Sequence, residues 1–233
     1  YKHTEVPYND FAYQRLLPQK YSQQGPNIAT GDINGNKRTD IFIGGGARFT
    51  GQIFKQVSSG SFERSNLTDS LKLPEDADCL FFDADIDGDQ DLLVTYGDIQ
   101  FAGIKGFHSP KLFLNDGKGV FTFKADAIPD SVMTIAGSVS SGDFDSDGDP
   151  DLFIGGRVSQ KYPLAARSFI LENNKGKFRD VTSTVCPSLQ FPGMVTSSVW
   201  TDFNGDGSPD LVIAGEWMDI RFFSNQGGKL TEI

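Results

Sequence analysis

The sequence predicts an all-β fold, a β-propeller built from four-stranded antiparallel blades. Short apolar runs rich in Phe, Ile, Val and Leu recur along the chain, and no helical periodicity extends beyond about two turns. One acidic stretch occurs four times, with its first Asp recurring at spacings of 51, 60 and 59 residues. Because a single blade cannot bury both of its faces, such repeats must stack against one another.

Each repeat reads as strand, acidic loop, strand, variable loop, strand, tight turn and strand. The first strand-like runs are NIAT, CLFF, GSVSS and SSVW, and the second are IFIGGG, LLVTYG, LFIGG and LVIAG. The third runs are GQIFKQ, PKLFLND, SFILENN and IRFFSNQ, followed by glycine-containing turns that are typical of hairpins. A lead-in segment, 1–26, is expected before a propeller region, 27–233, whose blades are predicted at 27–65, 79–126, 136–182 and 196–233.

The acidic loops carry oxygen donors at alternate positions, counted from the first Asp of each loop. The side chains at positions 1, 3, 5 and 9 are Asp32, Asn34, Asn36 and Asp40; Asp83, Asp85, Asp87 and Asp91; Asp143, Asp145, Asp147 and Asp151; and Asp202, Asn204, Asp206 and Asp210. Position 7 offers its backbone carbonyl and is Arg38, Asp89, Asp149 or Ser208. Oxygen-only donors without Cys or His favour a hard cation that accepts flexible geometry. The sequence therefore predicts up to four Ca²⁺ sites.

Two other interpretations of these loops are less consistent with the sequence. An EF-hand needs a bidentate Glu at position 12 and flanking helices, but position 12 is occupied by Ile43, Val94, Ile154 and Ile213. Plain acidic turns explain Asp and Gly, yet they do not explain the same alternation four times. Side-chain charge at positions 1, 3, 5 and 9 is −2, −4, −4 and −3 in the four loops. The first loop, with Lys37 where glycine is expected at position 6, is therefore predicted to be the weakest site.

The motif D-x-[DN]-x-[DN]-G-x-x-D-[LI] between two strands resembles the FG-GAP or VCBS repeat. This resemblance covers residues 27–233 and implies the β-propeller of integrin α-subunits and of many bacterial surface proteins, with structural calcium in each loop. The stretch HTEVPYNDFAYQRLLPQKYSQQGPNIATGDINGN is similar to segments of exported Bacteroidetes-type proteins associated with an ASPIC/UnbV-like region. Four repeats are fewer than the seven blades of that family. An arc of a larger ring is therefore expected, with association of two arcs as the alternative.

Composition excludes some classes of function. The net charge of −10 comes from 31 acidic against 21 basic residues, and fifteen of the acids lie in the four loops. The sequence contains no basic stripe, so a nucleic-acid partner is not expected. It also contains no run of 18 apolar residues, so direct membrane insertion is not expected. The two cysteines, Cys79 and Cys186, are too few for a disulfide framework. Two separate thiols are favoured, with a bridge as the alternative. His3 and His108 are expected to be ordinary exposed or turn residues.

The resemblance implies ligand binding on the face opposite the calcium loops, where protein or glycan partners are expected. The candidates are Phe101, Lys105, Phe107 and His108 in the loop 97–110; Arg157, Lys161, Tyr162 and Arg167 in the loop 156–168; and Phe191 in the loop 186–194. The alternative is that these loops have no binding role, because long loops also vary in sequence when nothing constrains them. The expected function is a non-enzymatic extracellular, periplasmic or outer-surface adhesion module that can self-associate through its blade edges. The alternatives are part of a secreted polysaccharide- or lipid-acting enzyme, or a scaffold within a larger protein.

Overall fold

The computed structural model describes residues 1–68, 72–101, 104 and 106–233, and it is an all-β structure. Four separate sheets follow one another along the chain. Each contains four antiparallel strands whose spatial order is their order in the sequence. This is the blade arrangement of a β-propeller, as the sequence predicts.

The strand boundaries follow the repeats closely. The blades contain β1 (Ile28–Gly31), β2 (Asp40–Ile43), β3 (Gln52–Ser58) and β4 (Ser61–Asn66); β5 (Asp76–Phe82), β6 (Asp91–Tyr96), β7 (Lys111–Leu114) and β8 (Thr122–Phe123); β9 (Ala136–Gly142), β10 (Asp151–Gly156), β11 (Phe169–Asn174) and β12 (Lys177–Asp180); and β13 (Met194–Thr201), β14 (Asp210–Glu216), β15 (Arg221–Asn225) and β16 (Leu230–Glu232). Helical segments are short: α1 (Thr182–Val185) and two 3₁₀ turns, Asp10–Ala12 and Pro187–Gln190.

The first strands of the blades line up side by side. Strand β1 lies against β5, β5 against β9, and β9 against β13. Among the described residues, no comparable contact joins β13 to β1. A separate hydrophobic core fills each space between neighbouring blades, centred on Phe42 and Phe81 for the first pair, Leu93 and Phe169 for the second, and Phe153 for the third.

The second strands differ between the middle and the end blades. Every residue of β6 and β10 is buried, because blades two and three have a neighbour on both faces. Strand β2 alternates between buried and half-buried residues, and β14 is only half-buried over its second half. Each end blade therefore has one uncovered face. Exposed apolar side chains in these blades include Ile28, Val57 and Phe62 in the first and Val199, Ile220 and Phe222 in the fourth.

The lead-in segment crosses the face opposite the acidic loops. Its Leu17 and Tyr21 form a fourth hydrophobic cluster with Ile99, Val158 and Met194, residues that come from or border the second, third and fourth blades. The buried carboxylate of Asp10 accepts hydrogen bonds from the backbone N–H groups of Tyr21 and Ser22 at 2.6 and 3.0 Å. These bonds hold residues 10–22 in a closed loop. Part of the face expected to bind partners is therefore covered by this chain's own residues.

Both cysteines are free and buried, each in a different interblade core. Burial raises the pKa of the Cys79 thiol, so this thiol stays protonated and inert. No helix among the described residues has the length and apolarity to span a membrane.

Candidate metal centres in the acidic loops

The strand register places each acidic loop at the turn between the first two strands of a blade. Position 9 opens the second strand and pairs with the end of the first: Asp91 lies opposite Phe82, and Asp151 opposite Gly142. The first and fourth blades repeat this register, with Asp40 opposite Gly31 and Asp210 opposite Thr201. All four loops therefore point from the same face of the molecule.

The carboxylate at position 1 organises each loop through backbone hydrogen bonds. Asp83 Oδ1 accepts the N–H of Asp87 at 3.2 Å, and its Oδ2 accepts the N–H of Gly88 at 3.0 Å. Asp143 accepts the equivalent two N–H groups in the third loop, both at 3.1 Å. Asp32 and Asp202 do the same in the first and fourth loops. The four loops therefore share one conformation.

Two positions in each loop have left-handed backbone angles. Position 6 has φ between +63° and +96°, and it is Lys37 in the first loop and glycine in the others, as the sequence analysis anticipated. Position 4 is also left-handed, which sequence reasoning missed. Glycine serves there in loops one and four, but the second loop has Ile86 at φ 63° and the third has Ser146 at φ 62°. A β-branched residue is strained in this region.

The aspartate at position 9 is fully buried and joins its loop to the third strand. Asp91 Oδ2 accepts the N–H of Ala84 at 3.0 Å, and its Oδ1 accepts the N–H of Asn115 at 2.8 Å. Asp151 makes the same pair of bonds with Phe144 and Asn173. Burial raises the pKa of both carboxyl groups to about 7, even though these hydrogen bonds oppose the shift.

Carboxylates converge in the second and third loops as a cation site requires. Ligand oxygens of Asp83, Asp85 and Asp91 lie within 4.8 Å of one another, and so do those of Asp143, Asp145 and Asp151. Burial, then neighbouring carboxylates, raise the pKa of Asp85. Asp87 and Asp147 at position 5 are outside these groups, and each accepts the backbone N–H of position 7.

Unsatisfied oxygens in the second loop fit a bound cation. Among the described residues, the buried Oδ1 atoms of Asp85 and Asp89 have no hydrogen-bond partner. Burial, followed by the charges of Asp87, Asp85 and Asp83, raises the pKa of Asp89 to about 6. A buried acceptor without a donor is costly, and a divalent ion surrounded by such oxygens removes that cost. The donor set therefore fits calcium.

The first and fourth loops have the same backbone but fewer free oxygens. Asn36 donates from Nδ2 to the carbonyl of Gln56 at 3.0 Å, and its Oδ1 accepts the N–H of Arg38 at 2.8 Å. Asn34 Oδ1 accepts the N–H of Asn36. Asn204 Oδ1 accepts the N–H of Asp206 at 2.8 Å, and Asp206 accepts that of Ser208. The side-chain amides of the asparagines in these two loops are therefore partly used by hydrogen bonds within the blade. This agrees with the weaker calcium binding that their lower side-chain charge predicts.

Sequence reasoning missed one repeated side chain that joins the blades. Asn115 donates from Nδ2 to the carbonyl of Ile33 in the preceding blade's loop at 2.8 Å. The equivalent bonds run from Asn173 to Ala84 and from Asn225 to Phe144. The signal was present, since LFLN, LEN and FSN end the third run of repeats two to four, where the first repeat has Gln56.

The partner candidates on the opposite face are mostly packed. His108 lies in a turn, one of the two placements expected for it; it is buried, and its Nε2 bonds to the Asp98 carbonyl at 2.7 Å. Phe101 and Phe107 pack edge to face against each other, and Arg157 pairs with Glu216. The remaining placements are as follows: Tyr162 packs against the lead-in cluster, Arg167 pairs with Asp180, Lys161 and Phe191 are exposed, and Lys105 lies outside the described residues.

Comparison with known proteins agrees with the loop geometry. Residues 96–154 match a family model described as an FG-GAP-like repeat. The match runs from the end of β6 through the third acidic loop into β10. A search of curated proteins found no match to the chain. The matched segment contains the third acidic loop, and the other three loops have the same strand register and the same hydrogen bonds to the carboxylate at position 1. The chain therefore contains an FG-GAP-like repeat, set within a β-propeller arrangement of four blades.

Proposed function

We propose that the chain is a calcium-stabilised, non-enzymatic β-propeller module that recognises a protein or glycan ligand outside the cell. The observation that carries the proposal is the pair of carboxylate groups around Asp85 and Asp145. These groups occupy equivalent places in neighbouring blades, and the first contains one buried oxygen without a donor, Asp85 Oδ1. Such an arrangement is unfavourable for the protein alone and favourable with a divalent cation.

Calcium would neutralise the loop charge and fix the first hairpin of each blade. Asp83 and Asp143 would hold both the backbone of their loops and the ion. Asp91 and Asp151 would link the ion to the third strand through the N–H groups of Asn115 and Asn173. The proposed role of the ion is therefore structural.

An open apolar groove on the opposite face supports ligand recognition. It is lined by Leu164, Phe191, Met194, Glu216 and Trp217 and has a volume of about 590 Å³. Trp217 is 81% exposed and Phe191 64% exposed. Exposed aromatics beside a carboxylate suit the apolar faces of sugars and the side chains of a protein partner.

The proposed extracellular, periplasmic or outer-surface location follows from calcium affinity. Extracellular calcium modules bind the ion at roughly 10⁻⁴–10⁻³ M, concentrations found outside the cytosol. The uncovered apolar faces of the first and fourth blades support self-association or a larger ring. No specific observation favours the alternatives, a polysaccharide- or lipid-acting enzyme or a scaffold.

Binding to arrays of glycans and of extracellular protein fragments tests the recognition role. We expect defined binders in calcium, with binding lost in EDTA and reduced in Trp217→Ala and Phe191→Ala. Val120→Ala, an exposed change in the turn between β7 and β8, is the matched control and should bind as the wild type does. The absence of any calcium-dependent binder, or equal binding by Trp217→Ala, would contradict the proposed recognition surface.

A further inference from the structure

A second kind of metal-ligand cluster lies on the face opposite the acidic loops. His3 and Glu5 belong to the lead-in segment, and Glu75 directly precedes β5 of the second blade. One ligand atom from each of the three side chains lies within 4.8 Å of the others. The cluster therefore brings together two parts of the chain that are separated by 70 residues.

Glu75 presents a buried oxygen to this cluster. The residue is only 1% exposed. Its Oε1 accepts the N–H groups of Gln24 and Gly25 at 2.9 and 2.5 Å. Among the described residues, its Oε2 and the buried Oε2 of Glu5 have no hydrogen-bond partner. No Lys or Arg of the described chain forms an ion pair with either carboxylate. Glu5 Oε1 pairs with the imidazole of His3, but two facing carboxylates without a Lys or Arg partner remain unfavourable in a buried place.

The imidazole of His3 has one ring nitrogen beside a hydroxyl group and the other facing a carboxylate, which is the arrangement of a metal-binding histidine. Its Nδ1 lies 3.2 Å from the hydroxyl of Tyr1, and its Nε2 faces Glu5 Oε1 at 2.5 Å. A ligating histidine usually has its second ring nitrogen held by an outer hydrogen bond, which fixes the ring. Tyr1 provides that bond here, and Nε2 is left to face the carboxylates.

The backbone around the cluster leaves room for the carboxylates only because two residues are glycine. A Cβ atom at Gly25 would lie 2.9 Å from Glu75 Oε1 and 3.5 Å from His3 Nε2. A Cβ atom at Gly46 would lie 2.8 Å from Glu5 Oε2 and 2.5 Å from the carbonyl of Thr4. The cluster is thus enclosed on two sides by closely approaching backbone.

We propose that His3, Glu5 and Glu75 bind one divalent transition-metal ion, with zinc the best fit. One imidazole nitrogen and two carboxylates form a donor set that suits zinc, whereas the oxygen-only loops suit calcium. The ion would fasten the lead-in segment to the second blade. Burial and Glu5 raise the pKa of Glu75 to about 7, so the ion would take the place of a proton at this carboxylate.

Zinc titration by calorimetry, after removal of bound metals and in excess Ca²⁺ to fill the acidic loops, tests the site. We expect one Zn²⁺ per chain in the wild type and none in His3→Ala or Glu75→Gln. Tyr1→Phe should weaken zinc binding by about tenfold, because it removes only the outer hydrogen bond. Glu63→Gln, an exposed change on β4, is the matched control and should keep one Zn²⁺.

Two further measurements keep the result unambiguous. Circular dichroism and calcium-induced stabilisation show whether each variant is folded, and the partly exposed His3 gives a variant that does not disturb the core. Co²⁺ bound at the site should show the visible absorption of nitrogen and oxygen coordination. Folded wild-type protein that binds no Zn²⁺, Mn²⁺ or Co²⁺, or zinc binding that persists in both His3→Ala and Glu75→Gln, would overturn the proposal and leave a shared proton as the explanation of the cluster.

Discussion

Asn173 of the third blade donates a 2.8 Å hydrogen bond from Nδ2 to the backbone carbonyl of Ala84, inside the acidic loop of the second blade. The same amide also bonds to the carbonyl of Pro150, and its Oδ1 accepts the N–H of Gly176. The backbone N–H of Asn173 donates a hydrogen bond to Asp151 Oδ1 at 2.8 Å. One residue therefore connects its own loop, its own hairpin turn and the loop of the preceding blade.

Replacing Asn173 with Ala should uncouple these three parts. The change leaves two buried carbonyls and one N–H without their partner, which costs about 2–4 kcal/mol of unfolding free energy. Gln56→Ala is the matched control, since Gln56 occupies the same place in the first blade, and its side chain forms no hydrogen bond with the described residues. That variant should lose less than about 0.5 kcal/mol. Urea unfolding in calcium measures both, and equal losses would argue against the interblade role of Asn173.

Ile86 at position 4 of the second loop should be replaceable with a gain in stability. Its φ of 63° strains a β-branched residue, and its side chain is 48% exposed, so little packing is lost. Ile86→Gly should raise the unfolding free energy by about 0.5–1 kcal/mol, after the entropy cost of glycine is subtracted. Ile86→Val keeps the branching and should give no gain. A loss in Ile86→Gly, measured by urea unfolding, would show that the strain is absent.

Removing one carboxylate from a loop should remove one calcium ion. Asp85→Asn and Asp145→Asn should each bind one Ca²⁺ fewer than the wild type in calorimetry. At calcium one hundred times its dissociation constant, the lost site removes about 2.7 kcal/mol of stabilisation. Asp130→Asn, a change of the same charge at an exposed residue outside the loops, should bind as the wild type does. Unchanged stoichiometry in both loop variants would place the ions elsewhere.

The calcium-free protein should lose stability as the pH rises. The folded pKa of about 7 for Asp91 and Asp151 is above the unfolded value near 4, so the folded state binds more protons between those pH values. The melting temperature in EDTA should therefore fall between about pH 4.5 and pH 7.5. Calcium replaces the protons and should abolish this fall. A melting temperature in EDTA that rises over this range would contradict the buried, uncompensated carboxylates.

The blades can be predicted from the sequence because the signals for loops, strands and turns all repeat together. The acidic loop, the flanking apolar runs and the hairpin turns all recur at one spacing, and the register sets Asp91 and Asp151 at the start of a strand as expected. The alternation of donors predicts ligands at positions 1, 3, 5 and 9, and in the second and third loops the carboxylates of positions 1, 3 and 9 converge, whereas Asp87 and Asp147 at position 5 lie outside these groups. Local patterns of this kind are readable because each depends on residues close together in the chain.

The parts that sequence reasoning missed depend on contacts between distant residues. The sequence around His3 indicates an ordinary exposed or turn residue, because Glu75, which lies beside it in the fold, comes 72 residues later and carries no motif. The lead-in segment covers part of the opposite face, which no local pattern indicates. The strain at Ile86 was hidden because the loop motif leaves position 4 unspecified, and only the backbone shows its left-handed angle.

Calcium titration of the metal-free protein, followed by calorimetric melting at each calcium concentration, tests the central claim most directly. We predict at least two ions per chain, bound by the second and third loops, and a melting temperature that rises with calcium concentration. Magnesium at the same concentration should give a smaller rise, because it requires a stricter octahedron. No heat of binding and no change in melting temperature up to millimolar calcium would contradict the proposal that the acidic loops are calcium sites.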